Sequence, residues 1–213
     1  MLIPTSNDGA DPVGFSVQSN GRPVPDTAML AAMHVLHRID DSATARLVFV
    51  DGDVATGGWP LADSSLFEPG SPVRIDAGYG ADLAPVFEGV VASLSARADG
   101  DSGSALVIEC RRPAADPPPV VDLAALMAKG PVLQVSFGVD LLEFEATTTA
   151  RGPRGHVKFQ GTHHATVASI IELKNVGARF SGIVLVEDVA HAFAEGGWLT
   201  TLTFGSAAVP SPA

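Results

Sequence analysis

The stretch Phe87-Glu88-Gly89-Val90-Val91 returns 93 residues later as Phe180-Ser181-Gly182-Ile183-Val184, and this near copy decides the fold. The surroundings repeat with it. Each copy follows an apolar stretch ending in glycine, Val73-Arg74-Ile75-Asp76-Ala77-Gly78 and then Ile171-Glu172-Leu173-Lys174-Asn175-Val176-Gly177. Each is followed by a polar turn and a closing strand, Leu106-Val107-Ile108-Glu109-Cys110 and Trp198-Leu199-Thr200-Thr201-Leu202-Thr203-Phe204. Upstream, Arg46-Leu47-Val48-Phe49-Val50-Asp51-Gly52-Asp53 is answered by His156-Val157-Lys158-Phe159-Gln160-Gly161-Thr162. Four landmarks in one order imply a unit built twice. In the repeated Phe-x-Gly, the phenylalanine fills a core and the glycine two residues on removes a side chain from the same face, permitting a close crossing.

A duplicated unit of roughly 90 residues within 213 favours two domains. The 46% hydrophobic content argues for a folded chain, and 22 glycines with 16 prolines argue for many turns and few long helices. The formal charge of −11 gives little support to nucleic-acid binding through phosphate neutralisation. The lone Cys110 cannot form an internal disulfide, which fits a reducing cytoplasm. Met1-Leu2-Ile3-Pro4-Thr5 lacks the features of a secretory leader, and no apolar run approaches the roughly 18 residues of a membrane span. Assembly in the cytoplasm is expected.

Along the chain, residues 1–12 read as a flexible N-terminal arm. Val13, Phe15 and Val17 alternate with polar or small residues as in a half-buried strand, and Asn20-Gly21 marks a turn. Residues 27–39 satisfy two periods, so a short helical turn passing into a strand is expected. Strands follow at Leu47–Val50, Val73–Ala77, Val86–Leu94 and Leu106–Cys110, a spacing expected of a sandwich or barrel over residues 13–113. Pro113 to Pro119 cannot continue a ladder, because proline lacks the N–H donor; residues 114–130 are therefore a Pro-rich linker and a short helix. Asp122 caps that helix, Leu123, Leu126 and Met127 form its stripe, and Gly130 ends it. Residues 131–205 form the second unit. It opens with a hairpin, Leu133–Phe144, turning at Gly138-Val139-Asp140, and continues through strands at 156–160, 169–174, 182–193 and 198–204. Residues 206–213 are a tail.

No catalytic, cofactor or metal site is expected. Adjacent histidines on an extended chain face opposite ways, so His163 and His164, with His156 and His191 elsewhere, do not converge on one ion. Asp51-Gly52-Asp53 lacks the further oxygen ligands of a calcium loop and reads as a strand-ending turn. Cys110 alternates with Leu106 and Ile108 on the core face, where a thiol is inert. Trp59 and Trp198 could stack on a sugar, but Trp198 opens a closing strand and reads as an edge-of-core aromatic.

The ordered set Leu47-Val48-Phe49-Val50-Asp51-Gly52-Asp53, Phe67-Glu68-Pro69-Gly70, Phe87-Glu88-Gly89-Val90-Val91, Leu142-Glu143-Phe144, Val157-Lys158-Phe159-Gln160-Gly161, Gly177-Ala178-Arg179-Phe180-Ser181-Gly182 and Gly196-Gly197-Trp198-Leu199-Thr200-Thr201 resembles the N-terminal hub region of VgrG-type spike proteins and phage baseplate hub (late control) proteins. The resemblance spans nearly all of residues 13–205. It implies a mainly β fold of two tandem, similar tube-type β-barrels with a short helix between them. It further implies a non-enzymatic hub of a contractile injection system, such as a phage tail, a type VI secretion apparatus or an extracellular particle. Such a hub is a homotrimer whose six barrels form a pseudo-hexameric ring between a hexameric inner tube protein and a spike protein, among other baseplate proteins.

Family members carry further domains where this chain has only the proline run and helix, and they often continue into a spike where it ends at Ala213. A shortened hub is thus expected, with direct membrane insertion not credited to this chain. The Leu133–Phe144 hairpin is the expected inter-subunit contact. The alternatives are a hexameric tail-tube component, a carbohydrate- or peptide-binding β-sandwich using the tryptophans, and a cysteine hydrolase built on Cys110.

Overall fold

The computed structural model describes residues 3–4, 12–39, 43–53, 57–99, 103–112, 120–150, 152–194 and 197–206. Along them run β1 (Ile3–Pro4), β2 (Val13–Ser19), β3 (Arg22–Pro23), β4 (Met29–Arg38), β5 (Thr44–Val50), β6 (Pro72–Tyr79), β7 (Asp82–Asp99), β8 (Gly103–Arg111), α1 (Leu123–Lys129), β9 (Leu133–Ser136), β10 (Leu141–Thr149), β11 (Gly152–Gln160), β12 (Ile170–Lys174), β13 (Gly182–Ala194) and β14 (Gly197–Ser206). The fold is mainly β. In β5 the two-residue period is plain: Ala45, Leu47 and Phe49 are buried while Thr44, Arg46 and Val50 face solvent.

Strand order carries the duplication into three dimensions. The first unit runs β4-β5-β8-β7-β6-β2 and the second β10-β11-β14-β13-β12-β9. Neighbouring pairs are antiparallel in both, except that β9 lies parallel to β12 where β2 is antiparallel to β6. Equivalent rows can be read straight across four strands. Met33 faces Leu47, Leu47 faces Ile108 and Ile108 faces Leu94; in the second unit Phe144 faces Val157, Val157 faces Leu202 and Leu202 faces Val189. The long strands β7 and β13 carry a register shift at matching places, Val91/Ser93 and Val186/Asp188, where an extra residue bends the strand. Each unit is a curled sheet with a seam: among the described residues no ladder joins β2 to β4 or β9 to β10.

The units share one continuous sheet, because β4 pairs antiparallel with β13 from Met33 opposite Phe193 to Arg38 opposite Asp188. Two buried clusters lie inside it. One centres on Phe49, Phe67, Phe87 and Ile108, the other on Val157, Phe159, Leu173 and Phe204. Phe193 and Trp198, from the second unit, belong to the first cluster.

The two Phe-x-Gly copies are not at equivalent positions, since the rows that make Leu94 equivalent to Val189 set Phe87 level with Gly182, and they do different work. A Cβ on Gly89 would overlap the carbonyl of Arg111 and come within 2.7 Å of Phe87 Cζ, so the fully buried ring of Phe87 lies where that side chain would be. Gly182 has open space around it and is required for its φ of +133° instead; Phe180 is half-buried, edge-on to Phe144 with ring centroids 6.0 Å apart.

Three elements differ from the sequence expectation. Residues 29–38 are strand throughout, with no helical turn at their start, because pairing with β5 on one edge and β13 on the other outweighs the helical spacing of Met29, Leu30 and Met33. The segment 133–144 turns where expected, with Ser136 carbonyl accepting from Asp140 N–H at 3.0 Å, but β9 and β10 do not pair; they diverge to β12 and β11. Within the N-terminal arm, Ile3 and Pro4 pair in parallel with Leu133 and Gln134. The helix has the expected ends, Asp122 Oδ1 accepting from Ala125 N–H and Gly130 at φ +83°, yet none of its residues is buried. The run Pro113–Pro119 and the tail after Ser206 lie outside the described residues.

Truncating Phe87 to Ala is expected to cost about 3–5 kcal/mol, while Phe180→Ala costs less than about 1.5 kcal/mol despite the shared motif. Urea unfolding midpoints at unchanged slope measure both.

Candidate functional site: the joint between units and the open strand edges

The residues weighed for chemistry are largely structural. Cys110 is buried in the first cluster, and burial, with Glu109 alongside, pushes its thiol up to about 12, far from a nucleophilic thiolate. Asp51 ends β5 as expected: its carboxylate accepts from Leu61 N–H at 3.1 Å and Ala62 N–H at 2.8 Å, fixing the following loop. That loop lines a groove of about 620 Å³ with Pro23, Val50 and Leu66. Trp198 is fully buried and so closed to a sugar, whereas Trp59 is half-buried.

Trp198 instead anchors the joint. It stacks on Phe193 at 5.1 Å and on Tyr79 of the first unit at 5.6 Å, and the Tyr79 hydroxyl donates to Gly161 carbonyl at 3.1 Å. Gly161 has no alternative here, since any Cβ would overlap the Trp198 indole. Behind this stack, Thr162 N–H donates to Thr200 Oγ1 at 3.1 Å, and Thr200 Oγ1 lies 3.0 Å from His191 Nδ1, which also accepts from Trp198 Nε1–H at 3.4 Å. Burial is the first cause that keeps His191 neutral; with His37 and His163 nearby, it lowers the pKa to about 3. His37 donates through Nε2 to Val86 carbonyl at 2.8 Å and is also lowered by burial.

His163 and His164 are not extended, as the sequence argument against a shared ion assumed. They occupy a turn that brings the rings to 4.0 Å, and together with Asp82 they offer ligand atoms within 4.8 Å of one another. His156 is elsewhere, bonded at 3.2 Å to Glu143, whose carboxyl is held below its usual range first by that bond and then by Lys158. Sequence reasoning missed Asp82, which lies 81 positions before His163 with no local pattern linking them.

The surface offers strand edges and apolar side chains. Among the described residues, β10 pairs only with β11, and β7 beyond Ser93 only with β8. Phe137, Val139 and Leu142, at the turn into β10 and its start, are 61%, 72% and 64% exposed. Apolar side chains thus stand exposed beside an edge without a strand partner among the described residues.

Residues 9–117 and 152–195 match the family model of the Alg8 N-terminal domain. No curated protein matches the sequence. Among solved structures, the chain is similar to the tail protein from Neisseria meningitidis MC58, with a TM-score of 0.63 at 7% identity over 92% of this chain and 96% of that one. It is similar to the 43 kDa tail protein of prophage MuSo2 from Shewanella oneidensis, with a TM-score of 0.59 at 7% identity over 93% and 97%. A third similar structure is the E. coli c3393 protein, a type VI secretion component with structural similarity to the T4 tail proteins gp27 and gp5 (TM-score 0.57, 8% identity, 92% and 79% covered). At these identities the likeness is one of fold, and the fold is that of phage tail and VgrG-like hub proteins.

His191 also makes the joint acid-sensitive. With its pKa near 3 folded and about 6.5 unfolded, the unfolded chain binds the extra proton between those values, so His191 makes stability fall as pH drops through that window. Replacing it with Gln, which cannot take up a proton, is expected to flatten the pH dependence of Tm between about pH 6 and 4; an unchanged profile would contradict this.

Proposed function

This chain belongs to the Alg8 N-terminal domain family, and from that premise and its tail-protein fold we propose that it is a structural baseplate hub of a contractile injection system. Residues 13–113 and 131–205 act as two tube-type barrels, and three chains form a pseudo-hexameric ring that joins a hexameric inner tube to a threefold spike. The role is mechanical, not enzymatic. The ring adapts one symmetry to the other and travels with the tube.

The observation that carries this reading is the doubled strand order joined by the β4–β13 ladder. A tail-tube component needs one such unit per chain, six times over; a chain holding two, side by side in one sheet, needs only three copies to close the same circle. The buried Trp198 and the inert Cys110 count against the sugar-binding and hydrolase alternatives. No helix among the described residues is long and apolar enough to cross a membrane. Cytoplasmic assembly into a virion-like or secreted particle fits the hub reading.

Native mass spectrometry of the purified chain is expected to give a trimer. Leu142→Asp, which charges the exposed apolar corner, shifts it to monomer while far-UV circular dichroism still reports the folded β structure. A hexamer or filament would favour the tube component, and a wild-type monomer would overturn the hub.

A further inference from the structure

The chain contains one unit-to-unit junction, and its geometry assigns the junctions between chains. Within the chain, the outer edge of β4 is taken by β13 of the second unit. The equivalent of β4 in the second unit is β10, and the equivalent of β13 in the first is β7. The equivalent edges, Phe144–Thr148 of β10 and Leu94–Ala98 of β7, have no strand partner among the described residues.

We propose that β10 of one chain pairs antiparallel with the second half of β7 of the next, in the register that the β4–β13 ladder dictates. The four-strand rows make Met33 equivalent to Phe144 and Val189 equivalent to Leu94. Carrying the β4–β13 pairs across, Phe144 falls opposite Ala98, Glu145 opposite Arg97, Ala146 opposite Ala96, Thr147 opposite Ser95 and Thr148 opposite Leu94. Nothing in this transfer selected for charge, yet it sets a glutamate directly against an arginine, both exposed. Opposite charges facing each other across an antiparallel pair stabilise it, and a one-residue slip would put Arg97 against Phe144 or Ala146. The contact is head-to-tail, so each chain gives one edge and accepts another, and three chains close. The exposed Phe137, Val139 and Leu142 stand at the start of the donated edge and are covered with it.

This inference rests on the hub reading, and cross-linking separates the two. A chain carrying Ala96→Cys and Ala146→Cys is expected, on mild oxidation, to give covalently closed trimers on a non-reducing gel, whereas either cysteine alone gives none. Arg97→Glu and Glu145→Arg singly should each weaken trimer formation at least about tenfold, and the two together restore it. A native trimer that neither cross-links nor responds to the charge swap overturns this junction and leaves the hub standing. A monomer before any substitution overturns both.

A second observation stands apart from the ring. We propose that Asp82, His163 and His164 hold a divalent metal ion of the zinc class, tying the first unit to the second. Two imidazoles and one carboxylate suit such an ion, with water completing the shell. Their donors, within 4.8 Å of one another, need only side-chain adjustment to reach the roughly 3.3 Å separations of a tetrahedral site. The backbones beneath them are fixed. A Cβ on Gly78 would overlap the Asp82 carbonyl, and on Gly161, just before the histidine turn, the Trp198 ring. His164 N–H is held by Thr162 Oγ1 at 3.2 Å.

Titration calorimetry of the full chain with Zn²⁺ is expected to find one site, weakened at least about tenfold by His163→Ala and by the near-isosteric Asp82→Asn, but not by His156→Ala. Visible ligand-field absorption of bound Co²⁺ should vanish in the same two variants. Absence of zinc binding, or equal binding in all four proteins, overturns the site.

Discussion

Six residue pairs, Met33 to Arg38 against Asp188 to Phe193, turn two curled sheets into one body. Backbone hydrogen bonds of a ladder fix distance, direction and register together, so the second unit cannot rotate against the first without breaking them. The side chains reinforce the ladder where it ends: Phe193 and Trp198 cross into the first unit's core, and Tyr79 reaches back to Gly161. A flexible linker between the two units would not set the angle that the proposed ring requires.

The duplication is faithful where packing demands it and loose elsewhere. Strand order and the rows from Met33 and Phe144 agree between units, and both long strands bend at a matching extra residue. The first strand of each unit does not agree: β2 is antiparallel to β6, while the short β9 runs parallel to β12 and carries β1 on its other edge. That difference falls at the seam, where the turn at 137–140 also leaves apolar side chains in the open.

What was legible in the sequence was local. A continuous apolar run marked the strand at Leu47–Val50, alternation marked the burial of Cys110, and Asp51 and Asp122 announced a loop and a helix through side chains that bond within a few residues of themselves or across a short loop. The repeat around Phe87 and Phe180 implied a duplication that the strand order carries, although the two motifs themselves lie two residues out of register. Pairings between distant segments were not legible. Residues 29–38 resembled a helix start because nothing nearby says that residues some 150 positions later form their second edge. The turn at His163 follows Gly161, which lies against Trp198 from 37 positions later, and no local pattern announced the cluster with Asp82.

In the proposed ring, like units stand around a common axis. An end-on electron cryomicroscopy reconstruction of the assembled chain tests this most directly. It should contain six lobes of two alternating kinds about a threefold axis, with sheet density running unbroken from lobe to lobe. Six identical lobes from six chains, or the two units of one chain stacked along the axis, would contradict it.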